Sequence, residues 1–73
     1  MDKIFQESWS YTLYRDGDRY ILSVVCGGVG MYELNIPLND MEVNVVDDQS
    51  AVAALAKEIR VDPKRYVARS VKL

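Results

Sequence analysis

Between residues 5 and 13 apolar and polar positions alternate, with Phe5, Trp9, Tyr11 and Leu13 on one side and Gln6, Ser8, Ser10 and Thr12 on the other. A period of two marks a strand with one buried face, so this run predicts a single strand. Asp16-Gly17 then suits a type I′ turn, in which both central residues need positive φ. With those two residues as the loop, Arg15 lies opposite Asp18, Leu13 opposite Tyr20, Tyr11 opposite Leu22 and Trp9 opposite Val24, so each large apolar residue meets another. A loop one residue longer would set Arg15 against Arg19 and Tyr11 against Ser23, which favours the shorter one.

The second strand, residues 20–26, runs into Gly27-Gly28-Val29-Gly30, and a third alternating run places Tyr32, Leu34, Ile36 and Leu38 on one face. A three-residue loop over 28–30 leaves a glycine for the left-handed position and pairs Cys26 with Tyr32, Val24 with Leu34 and Leu22 with Ile36. Pro37 lacks an amide hydrogen, which makes the third strand an edge or ends its pairing there.

After Leu38 the period changes. Asn39-Asp40-Met41-Glu42 matches a capping box and predicts a short helix over 40–46; the β-branched Val43, Val45 and Val46 keep a fourth strand over 41–46 as the alternative. Val52, Leu55, Ala56 and Ile59 fall at i, i+3, i+4 and i+7, predicting an amphipathic helix over 49–60 with Asp47 and Asp48 before it and Lys57 and Arg60 near its end. Asp62-Pro63 starts a further helical turn with Asp62 as cap, and 66–73 forms either a short strand, with Val67, Val71 and Leu73 inward, or an extended tail. The expected fold class is α+β, a single domain over 1–73. It is a three-stranded antiparallel meander with one face covered by a C-terminal amphipathic helix.

Composition adds exclusions. The 73 residues are 49% hydrophobic and 27% charged, enough apolar surface to fold but a thin core for one domain. Cys26 is the only cysteine and there is no histidine, so neither an intramolecular disulfide nor a familiar metal constellation is expected. Residues 1–7 lack the basic head and apolar run of a signal peptide, and the uncharged stretch 20–32 is short of a membrane span. A cytoplasmic location without membrane association or cofactor is expected, with stability drawn from a partner chain, most simply a second copy.

Candidate chemistry is sparse. Cys26 has no base to make it a thiolate and falls on the apolar face. The glycines at 27–30 lead into a strand, unlike phosphate loops, which lead into a helix. Asp16-Gly17-Asp18 lacks the further oxygen ligands of a calcium loop. Glu7 interrupts the apolar face opposite Cys26, with Tyr32 next across the sheet; it either reaches water at a fraying end or forms a polar cleft with Tyr32.

Charge is distributed unevenly. Residues 1–56 hold three basic and nine acidic groups, a net −6, whereas 57–73 hold six basic and two acidic, a net +4. Lys64, Arg65 and Arg69 mark the basic end as a candidate contact surface, although the net −2 of the chain makes nucleic acid an improbable partner. On the second sheet face Ile21, Val25 and Met31 stand among polar residues, a candidate interface for a homodimer or another protein. The resulting expectation is a non-enzymatic, homodimeric protein-interaction module. In size and charge it resembles the immunity proteins that neutralise basic toxins. A binder of small molecules or nucleic acid through Trp9, Tyr11, Tyr20 and Tyr32 is the alternative.

Overall fold

The computed structural model describes residues 2–8, 10–27 and 32–72. Four antiparallel strands form an open sheet in chain order: β1 (Asp2–Glu7), β2 (Tyr11–Asp16), β3 (Arg19–Cys26) and β4 (Tyr32–Pro37). A four-residue helix α1 (Asp40–Val43), the main helix α2 (Gln49–Val61) and two 3₁₀ turns, Pro63–Arg65 and Val67–Arg69, complete the chain.

The sheet has one strand more than the alternating pattern predicts. The run 5–13 is not one strand but the two arms of a hairpin, in which Glu7 faces Tyr11, Gln6 faces Thr12 and Phe5 faces Leu13. The Ser10 amide donates to the Glu7 carbonyl at 3.0 Å to close the turn. Because the reversal pairs odd positions with odd, Phe5 and Leu13 stay on the same face and the alternation survives it. Register slips by one residue between Lys3 and Phe5, and of β1 only Phe5 is half-buried.

The β2–β3 hairpin is shifted by two residues from the expected pairing. Asp16 faces Arg19, Arg15 faces Tyr20, Leu13 faces Leu22 and Tyr11 faces Val24, so the loop is Gly17-Asp18. Gly17 adopts φ +66°, and an Arg19–Asp16 ion pair at 3.2 Å flanks it. A shift of two leaves every side chain on its original face, so it costs no burial. The β3–β4 register matches expectation, with Leu22 opposite Ile36, Val24 opposite Leu34 and Cys26 opposite Tyr32. The loop expected over 28–30 lies outside the described residues, as does Trp9. Pro37 ends β4, an edge strand.

Segment 40–46 begins as a helix rather than a strand, and the capping box is complete: the Glu42 amide donates to Asn39 Oδ1 at 2.9 Å and the Asn39 amide to Glu42 Oε1 at 3.0 Å. The helix ends at Val43, where the valines give way to turns. Asp48 caps α2 by accepting from the Ser50 amide at 3.0 Å. Val52, Ala56 and Ile59 then pack on Tyr11, Leu13, Leu22, Val24, Cys26, Leu34 and Ile36 from the sheet, with Val46 and Tyr66 closing the sides. Asp62 makes no side-chain cap, although Pro63 opens a 3₁₀ turn as its fixed φ favours.

The C-terminal segment is tied to β4 rather than paired as a strand. Asn35 receives the Val71 amide on its carbonyl at 2.8 Å, donates its own amide to Ser70 Oγ at 3.0 Å and its Nδ2 to the Val71 carbonyl at 3.1 Å. Of the residues expected inward, Val67 is exposed, Val71 is half-buried, and Leu73 is outside the described residues. Among the described residues no helix is long and apolar enough to cross a membrane.

Candidate functional site

α2 covers one face of the sheet. On the other, the register aligns Gln6, Thr12, Ser23 and Asn35 in a polar row across all four strands. Ser23 is buried and its hydroxyl donates to Asn35 Oδ1 at 2.7 Å, so this row is held from within the sheet. Beside it Val25 pairs with Glu33 and donates its amide to the Ser10 carbonyl at 2.8 Å.

These two rows floor an open cleft of about 260 Å³ lined by Gln6, Glu7, Ser10, Tyr11, Thr12, Ser23, Val25 and Glu33. Glu7 and Glu33 are exposed, and among the described residues neither forms an ion pair. Arg60, from the last turn of α2, donates to Ser10 Oγ and so brings a guanidinium to the rim. The cleft is therefore rich in acceptors, with Arg60 at its rim and Val25 as its half-buried apolar element.

The residues singled out from sequence are redistributed. Glu7, opposite Tyr11 in the row that α2 covers, borders the cleft at its margin, while Tyr32 pairs with Cys26 and does not line it. Ile21 is fully buried, flanked across the strands by Tyr14 and Pro37, so it offers nothing to a second copy. Val25 lies in the cleft rather than in an apolar patch, and Met31 is outside the described residues.

The basic candidates also separate. Arg69 is committed internally: it grips Glu42 through two hydrogen bonds, donates to the Pro37 carbonyl at 3.1 Å and stacks over Tyr66 at 5.7 Å. Lys64 and Arg65 stay exposed on the first 3₁₀ turn. The aromatic platform is dispersed: Tyr11 is buried, Tyr20 half-buried and Tyr32 exposed.

Cys26 belongs to the core, its thiol donating to the Val24 carbonyl at 3.7 Å. Burial pushes that thiol's pKa up, only partly offset by the Arg60 charge, which keeps it protonated and a poor nucleophile at neutral pH. Reading from sequence missed Glu33, Thr12 and Ser23 as site residues, since the cleft they line takes shape only with the unforeseen β1–β2 reversal. No protein-family model, curated protein or solved structure matches the chain.

Proposed function

We propose that the chain is a non-enzymatic interaction module that binds a basic protein partner through the sheet face turned away from α2. Support comes from one observation above the rest: Glu33 on that face and Glu7 at its margin border an open cleft, both exposed and neither in an ion pair among the described residues. Exposed carboxylates favour an incoming positive charge and steer its approach. The hydroxyls of Ser10, Thr12 and Ser23 add orientation, while Cys26, the one thiol, is turned into the core. Lys64 and Arg65, on the 3₁₀ turn after α2, form the competing surface for an acidic partner.

Charge reversal separates the two. In biolayer interferometry against an array of basic and acidic peptides, the double variant Glu7→Lys/Glu33→Lys is expected to lose binding to basic peptides. Lys64→Glu/Arg65→Glu is expected to leave it intact. Retention of basic-peptide binding by the first variant would remove the cleft from the binding surface, and selective binding of acidic peptides would transfer function to the 3₁₀ turn.

A further inference from the structure

We infer that residues 63–72 are an exchangeable strap, docked on their own body in one copy and on the body of a second copy in a reciprocal dimer. The strap is two three-residue 3₁₀ turns and the stretch after them, too short to hold a shape of its own. Its conformation comes from the body it lies on. Tyr66 is the buried anchor, 7% exposed, with its hydroxyl donating to Glu58 Oε1 at 3.0 Å. Arg69 reaches Glu42 and the Pro37 carbonyl, while Ser70 and Val71 are bound by Asn35. These last bonds join residues 27 to 36 positions apart in the chain, so the same bonds form whether strap and body belong to one copy or to two.

Two further observations mark the strap for exchange. Its link to α2 is a single residue, Asp62, followed by Pro63. Pro63 brings no amide hydrogen and holds Asp62 out of the helical region, at φ −135° and ψ 70°. The bond that turns the chain back across this link, from the Arg65 amide to the Asp62 carbonyl, is 3.3 Å long and so a weak one. Opening the hinge breaks that bond, and the bonds of Tyr66, Arg69, Ser70 and Val71 are remade on the partner. The second observation is that Val61 and Val67 stand on either side of the hinge at 75% and 54% exposure. In a reciprocal exchange the two hinges pass each other at the symmetry axis, which gathers the residues around both of them. Apolar groups that the closed monomer leaves in water thus lie where exchange creates a new contact. The identity of the partner follows from the docking surface itself: it is complementary to Tyr66, Arg69 and Ser70, and a second copy is the partner certain to carry them.

The test mixes two variants of the full chain, Glu42→Arg and Arg69→Glu. Alone, each sets like charges against one another in both the closed and the exchanged form. Mixed, the strap of each meets an opposite charge only on the body of the other. Sedimentation equilibrium is expected to show a heterodimer in the mixture, with self-association of either variant at least about tenfold weaker. A mixture that stays monomeric while circular dichroism shows both variants folded would overturn the inference. Where a variant does not fold even when mixed, the wild type decides. Isotope-labelled and unlabelled chains are then concentrated together, and nuclear Overhauser effects are expected from the Tyr66 ring of one to the core methyl groups of the other. A dimer without them, or a monomer at every concentration, would equally overturn the exchange.

Discussion

Glu42 and Arg69 meet through both carboxylate oxygens, Oε1 at 2.6 Å from Nη2 and Oε2 at 3.3 Å from Nη1. The same Oε1 completes the cap of α1 by accepting from the Asn39 amide. One carboxylate thus fastens the C-terminal segment to the start of the helical half. Arg69→Ala is expected to cost about 1.5 kcal/mol in urea denaturation, between the value of an exposed ion pair and that of a buried charged hydrogen bond. A double-mutant cycle with Glu42→Gln should return a coupling of about 1 kcal/mol.

Acid should weaken this pair. Burial alone would push the Glu42 carboxyl up, but the hydrogen bonds from Arg69 and the Asn39 amide, with the Arg69 charge, hold it below its ordinary value of 4.5. A carboxylate whose folded pKa is depressed contributes stability that is full above the unfolded value and is lost as pH falls through the folded one. The stability of the wild type should therefore fall more steeply below pH 4.5 than that of Glu42→Gln, and parallel curves would deny the carboxylate this role.

Asn35 carries an unusual load for one residue on an edge strand, its side chain linking Ser23 and Val71 and its amide donating to Ser70 Oγ. Asn35→Ala strips the partner from the buried Ser23 hydroxyl and from the Val71 carbonyl. A loss of about 2 kcal/mol is expected, with faster hydrogen exchange at the Val71 amide. Unchanged exchange there would show that the segment is held by Arg69 and Tyr66 alone.

The Tyr11 hydroxyl is buried without a hydrogen-bond partner among the described residues. Such a group costs about 1–3 kcal/mol of desolvation. Tyr11→Phe should therefore be neutral or raise stability by up to about 1 kcal/mol in thermal unfolding. A loss of more than 1 kcal/mol would reveal a bound water or another acceptor.

Gly17 sits at φ +66° with nothing within 4 Å of where a Cβ would stand, so only backbone preference restricts the position. Gly17→Ala should cost about 1 kcal/mol and Gly17→Asn markedly less, because asparagine tolerates the left-handed region. Equal costs would point to a contact rather than to the backbone.

Where sequence reading succeeded and failed follows from what periodicity can register. The capping box at Asn39–Glu42 and the α2 stripe of Val52, Ala56 and Ile59 were legible because both are local spacings within a helix. The reversal at Ser8–Ser10 was not, since it carries neither glycine nor proline in its described residues and pairs Glu7 with Tyr11, odd with odd. The two-residue shift at Gly17-Asp18 was hidden for the same reason, every side chain keeping its face. Glu7 was recognised as out of place, yet the cleft it borders, lined by Glu33 and Ser23, could be found only after the fourth strand was counted. The 3₁₀ turns at the C-terminus answer to Arg69, Tyr66 and Asn35, contacts between distant parts of the chain that no local pattern encodes.

The ties between Asn35 and residues 70–71 have a consequence for the behaviour of concentrated protein. They occupy backbone groups of β4 that would otherwise recruit a strand from a neighbour, while the slipped register and the charges Asp2, Lys3 and Glu7 spoil β1 as a template. One margin of the sheet is thus covered at Asn35 by a strap of the chain itself, and the other is made irregular. Growth of a fibril from the β4 margin is expected to be favoured in molecules in which that strap has come away.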